Sequence, residues 1–209
     1  MTKFYLPSTG NADISPTDDA GWSHLASGVL GPLNAVTTKI GSAMATISYA
    51  DTDTSSRVIR FGMWVSAALP AVTITAQTVG ISVKCSETDT SNNMYLYLKI
   101  WVATPALAER GVILALQSDD TEAPTTIGSR YHSATSGQVI ASGGDRIVFE
   151  IGMAGDPGVG DHDSSMIFGD DAATDLDASD GDTGTDNPWI NFTQDLFGDS
   201  GSGIINWFF

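Results

Sequence analysis

The sequence predicts an all-β fold, a two-sheet antiparallel β-sandwich of jelly-roll type carrying long acidic loops. Three observations carry that expectation. Apolar residues recur two apart over several stretches, the period of a strand covered on one face. Turn signals separate these stretches at short intervals, and helical periodicity is nowhere sustained. A length of 209 residues with 42% hydrophobic content suits one sandwich with a sizeable core. The expected organisation is an N-terminal arm over residues 1–38 packed on a body over 39–209. That body includes an acidic loop region, 155–187, and an apolar C-terminal tail.

In chain order, Ser15 to Pro32 mixes Trp22, Leu25, Val29 and Leu30 with Gly, Ser and Asp and reads as an arm, with Trp22 as its anchor. Ala45, Ile47 and Tyr49 predict a half-buried strand. Ile59, Phe61, Met63 and Val65 alternate with Arg60, Gly62, Trp64 and Ser66, and Pro70 closes this strand. Val72 and Ile74 occupy even positions, whereas Val79, Ile81, Val83 and Cys85 occupy odd ones. A bulge or break at 76–78 is expected between them.

The longest alternation follows a polar turn. Met94, Leu96, Leu98, Ile100 and Val102 face one way, and Tyr95, Tyr97, Lys99 and Trp101 the other, which predicts a strand at the centre of a sheet. Val112, Leu114 and Leu116 continue the period, and Asp119 to Ser129 reads as a loop. Val139 and Ile140 lead through Gly143-Gly144-Asp145 into Ile147, Phe149, Ile151 and Met153, the pattern of a hairpin. Short strands are expected at 189–193 and 204–209.

Charge excludes whole classes of partner. Against 25 Asp and Glu stand only 9 Lys and Arg, a formal charge of −16, so neither a nucleic acid nor an anionic membrane finds a basic patch. One cysteine, Cys85, allows no internal disulfide. The N-terminus lacks the apolar core of a signal peptide, and no run approaches the roughly 18 apolar residues of a membrane span, so synthesis in a cytoplasm without export is expected.

Enzyme chemistry finds little support, and the expectation is a non-enzyme. Asp161-His162-Asp163-Ser164-Ser165 holds the residue types of a hydrolase but no nucleophile elbow. The glutamates are Glu87, Glu109, Glu122 and Glu150. Only Glu150 lies in a well-marked strand, where Arg146 is its expected neighbour on the same face.

No cofactor is expected beyond calcium. Asp175, Asp177, Asp182 and Asp186, with Ser179 and Gly181, offer hard oxygen ligands in a flexible loop, although the spacing departs from an EF-hand; a solvated acidic loop is the alternative. Tyr95, Tyr97 and Trp101 share a strand face that could stack on sugar rings, or could pack inside the fold or against a second copy. Trp207, Phe208 and Phe209 end the chain in an apolar tail expected to dock, and Trp22 joins them as a candidate interface residue.

The chain resembles structural proteins of tailed bacteriophages and prophages with β-sandwich or jelly-roll folds. The features matched are Phe4-Tyr5-Leu6-Pro7-Ser8-Thr9-Gly10 with Trp22, Val65-Ser66, Arg110-Gly111, Gly144-Asp145-Arg146-Ile147-Val148-Phe149-Glu150-Ile151-Gly152, and Asn187-Pro188-Trp189-Ile190-Asn191-Phe192. The resemblance implies a virion component, a capsid decoration protein or a tail fibre protein, located in the virion. Its partners would be other virion proteins and copies of itself, with a trimer among the options. It implies no catalytic residues. A carbohydrate-binding or host-receptor-binding adhesin is the alternative.

Overall fold

In the computed structural model, residues 1–52, 55–156 and 161–198 are described, and among them all regular structure is β. The strands are β1 (Thr2–Tyr5), β2 (His24–Asn34), β3 (Ala45–Tyr49), β4 (Arg57–Val65), β5 (Val72–Ile74), β6 (Thr78–Glu87) and β7 (Met94–Ala103). They continue as β8 (Glu109–Glu122), β9 (Gly128–Thr135), β10 (Val139–Ala141), β11 (Arg146–Gly155), β12 (Ser164–Phe168) and β13 (Trp189–Phe192). Eleven form one curled, mixed sheet in the order β1-β13-β6-β12-β3-β2-β4-β11-β7-β8, with β9 on the other edge of β6; β5 and β10 make a separate pair.

The curl brings the two limbs of this sheet face to face. Phe4 of β1 meets Phe149 of β11 at 5.0 Å between ring centroids, and Trp64 of β4 meets Phe168 of β12 at 4.5 Å. Between the limbs lie Ile81, Val83, Leu96, Leu98, Ile100, Ile147 and Ile151, all buried, which is where the alternation in β6, β7 and β11 directs them. One pairing departs from the antiparallel expectation: β2 runs parallel to β4.

Four elements differ from the sequence reading. In β4, Phe61 is an extra residue opposite Ile151 and Gly152, and this bulge reverses the parity beyond it. Trp64 therefore enters the main core while Met63 joins a smaller cluster on the outer face. Gly62 makes this feasible, because the Trp64 ring lies where a Cβ at 62 would stand. The hairpin expected at 139–153 does not form, since β10 pairs with β5 whereas β11 lies between β4 and β7. The buried Asp145 makes that sheet change, accepting the Ser142 N–H and the Arg110 guanidinium. The supposed loop at 119–129 contains the ends of β8 and β9, and the supposed arm contains β2. Between β5 and β6 the predicted break is real.

Candidate functional site

The outer face of β4, β11 and β7 is the first place where side chains of different chemistry converge. Residues 12–23 cross it. Ile14 packs with Met63, Trp101, Ala103 and Val148, Asp13 pairs with Arg146, and Asp18 meets Arg60 at 2.9 Å. At the centre is Glu150, fully buried. Its Oε2 accepts Trp22 Nε1–H at 2.6 Å and the Asp19 amide at 3.0 Å, and its Oε1 accepts Trp101 Nε1–H at 2.6 Å.

Burial pushes the Glu150 carboxyl above its ordinary range, opposed by the Asp19 amide, the two indoles and the nearby Lys99 ammonium. Lys99 Nζ bonds Asp19 at 2.6 Å and Glu109 at 2.8 Å. Burial alone would lower that ammonium; the two carboxylates more than reverse it. The arrangement is a clamp on the arm. Asp19 contributes both its amide and its carboxylate, and Trp22 adds an edge contact with Tyr97, centroids 5.9 Å apart.

The sequence-predicted residues fall into place accordingly. Trp22 is buried against its own chain. Of the proposed sugar platform, Trp101 lies beneath the arm with its N–H engaged, leaving Tyr95 and Tyr97 half-buried at the rim. Arg146 is not the partner of Glu150 but holds Asp13 and the Ser66 carbonyl. Trp207, Phe208 and Phe209 lie outside the described residues.

The four aspartates of the candidate calcium loop are divided. Asp175 is held by Lys3 at 3.0 Å, Lys39 at 2.8 Å, Tyr5 and Asn187. Burial would raise its carboxyl, but these bonds, Lys39 first, bring it down to about 2. Asp182 and Asp186 lie together near Lys84, and no group of three metal ligands assembles among the described residues.

A second convergence escaped the sequence reading. Where β6 ends and β7 begins, the Glu87 carboxylate accepts the Met94 amide at 2.9 Å, and the Glu87 amide donates to the Pro124 carbonyl at 3.0 Å. Glu122, at the end of β8, lies against Glu87. Burial is the first cause that lifts the Glu87 carboxyl to about 7, and the neighbouring Glu122 adds to it. Alongside, Arg130 Nη2 bonds Asp119 at 2.6 Å, both groups buried, while Nη1 reaches Asp180 at 2.5 Å. Glu87 and Glu122 stood in the sequence only as two of its four glutamates, since buried charge shows no period. A cavity of about 330 Å³ also opens beside Phe4, Asn34, Val36, Thr37, Thr38 and Phe197, away from both clusters.

No protein-family profile and no curated protein matches the chain. Among solved structures it is similar to a CocE/NonD family hydrolase from Staphylococcus aureus, with TM-score 0.40 and 10% identity, covering 90% of this chain and 35% of that one. It is also similar to a structure of infectious bursal disease virus, Gx strain, with TM-score 0.26 and 10% identity, covering 84% of this chain and 43% of that one. The chain thus spans less than half of either neighbour. At these scores neither assigns a fold family or a role.

Proposed function

We propose that the chain is a structural domain of a tailed-phage virion, a capsid decoration or tail-associated fibre protein, that acts through its surfaces rather than by catalysis. The observation that supports this reading is the disposition of charge. Eight of the 9 cationic side chains are tied into ion pairs within the chain: Lys3, Lys39, Arg57, Arg60, Lys99, Arg110, Arg130 and Arg146. The ninth, Lys84, is buried. The outer surface is therefore left to carboxylates, a field of one sign that suits docking on a basic partner.

The facing limbs of the sheet are read as a jelly-roll-like sandwich with one parallel pair inserted, rigid enough to serve as a building block. In this reading the chain forms homo-oligomers and contacts other virion proteins. The adhesin alternative is disfavoured by the arm that covers Trp101. Mass spectrometry of purified particles is the deciding experiment, with the lysate as reference. Recovery in stoichiometric amounts supports the proposal; presence in the lysate and absence from particles refutes it.

A further inference from the structure

We propose that Glu87 and Glu122 form a proton-operated latch at the junction of β6, β7, β8 and β9, closed while the pair holds a proton and opened when that proton passes to solvent. The geometry is local and closed. Glu87 joins the end of β6 to the start of β7 through the Met94 amide, Met94 returns its carbonyl to the Ala123 amide at 2.6 Å, and Pro124 accepts the Glu87 amide. The ends of β6, β7 and β8 therefore meet around one residue that is 2% exposed, and its carboxyl makes the bond to the Met94 amide.

Glu122 Oε1 is buried and finds no donor among the described residues. Ionised carboxylates are acceptors only, so two of them side by side can bond each other only while the pair holds a proton. The Glu87 carboxyl, lifted to about 7 by burial and then by Glu122, is suited to carry that proton.

The groups facing the pair offer no relief once the proton has gone. Asp89 on the β6–β7 turn and Asp119 on β8 are negative. Tyr95 on β7 and Cys85 on β6 are neutral, the Cys85 thiol being pushed up by burial. His132, on β9, faces Asp119. Arg130, the cation on β9 that acts on Cys85, is already shared between Asp119 and Asp180. Two adjacent carboxylates without a counter-charge in a buried site repel strongly, and parting the strand ends is the route to water.

The consequence reaches the acidic loop. Ser129, at the start of β9, donates to the Ser179 carbonyl and receives the Asp182 amide on its hydroxyl, and its own amide donates to the Asp182 carbonyl. Arg130 fixes Asp180. Opening the junction loosens the β9 end to which loop 177–182 is strapped. Because Glu87 binds its proton more tightly in the fold than in the unfolded chain, where the ordinary value is 4.5, this part of the stability is full below that value. It is lost as pH rises through about 7.

Amide hydrogen exchange of the whole chain, corrected for intrinsic rates, tests the latch at about pH 5 and about pH 9. Protection at Met94, Ala123 and Ser129 is expected to fall at least roughly tenfold at the higher pH, the equivalent of one pKa unit, while Ile100 and Phe149 stay unchanged. Glu87→Gln, whose amide donates permanently to Glu122, should keep protection level across the range. Unchanged protection in the unaltered protein, or a full transition surviving in E87Q, overturns the proposal. Should E87Q fail to fold, carboxyl carbon NMR of the unaltered protein decides, and a Glu87 titration in the ordinary carboxylate range refutes it.

Discussion

Replacing Trp22 by Phe isolates the bond that clamps the N-terminal arm. The change keeps an aromatic ring over Tyr97 but removes the Nε1–H that Glu150 Oε2 accepts at 2.6 Å, leaving that oxygen with the Asp19 amide. A hydrogen bond to a charged group contributes about 1.5–3 kcal/mol. The smaller ring leaves part of the buried indole volume unfilled, roughly 1 kcal/mol more, a fraction of the about 3–5 kcal/mol for complete truncation of a buried aromatic. The expected loss is therefore about 2.5–4 kcal/mol, a large share of the about 5–15 kcal/mol that holds a typical domain together. Denaturant unfolding measures it. Hydrogen exchange should show the loss of protection in residues 12–23 ahead of β7. A double-mutant cycle with Glu150→Met, which removes the acceptor, should give a coupling of at least about 1 kcal/mol, because the two changes break the same bond. A loss under about 1 kcal/mol with no coupling would show that the indole N–H does not hold the arm.

Gly152→Ala should disturb the same region from below, since a Cβ at 152 would stand against the Ile59 carbonyl and the Trp22 ring. At least about 2 kcal/mol of destabilisation is expected from such overpacking, and crystallography of the variant should show the β4 bulge displaced. Arg130→Met should cost about 3–5 kcal/mol in a thermal or chemical melt, because it leaves the buried Asp119 without its partner. Asp175→Asn should remove part of the acid sensitivity. The carboxyl is held down to about 2, so its contribution is present above the ordinary value of 3.8 and lost as pH falls towards 2. The melting curves of variant and parent should converge at the acid end and diverge near neutrality.

What was legible in the sequence follows from how each strand is buried. Strand β7 repeats Met94, Leu96, Leu98 and Ile100 toward the core without interruption, so its period survives in one dimension. Strand β4 begins the same way, but the bulge at Phe61 is set by its partner β11, and from sequence Met63 looked like core and Trp64 did not. Strand β2 hides because Gly28, Gly31 and Pro32 interrupt it and only Ala26 and Leu33 are buried along it. Strand β9 hides for another reason: its inward positions include Arg130 and His132, residues that a periodicity argument assigns to water. Glu150 was expected beside Arg146, and its partners are Trp22, Trp101 and the Asp19 amide instead. Arg146 is near in sequence, whereas Trp22 arrives from 128 residues away, and nothing local announces it.

The buried charges share a position that bears on their purpose. Glu150 and Lys99 hold the arm, Arg130 and Asp119 hold the acidic loop, and Asp145 with Arg110 holds the crossing from β10 to β11. Each stands where a segment without strong apolar content of its own meets the sheet. An apolar contact there would bury area but fix no register, whereas a carboxylate accepting three donors admits one placement. Such pairs add little net stability once desolvation is counted, so their contribution is to direct the segment to a single position. Using nearly every cation in this way has a second effect, because few cations are left to offset the carboxylates on the surface. Internal order and an outward field of one sign thus follow from the same allocation of 9 cations among 25 carboxylates.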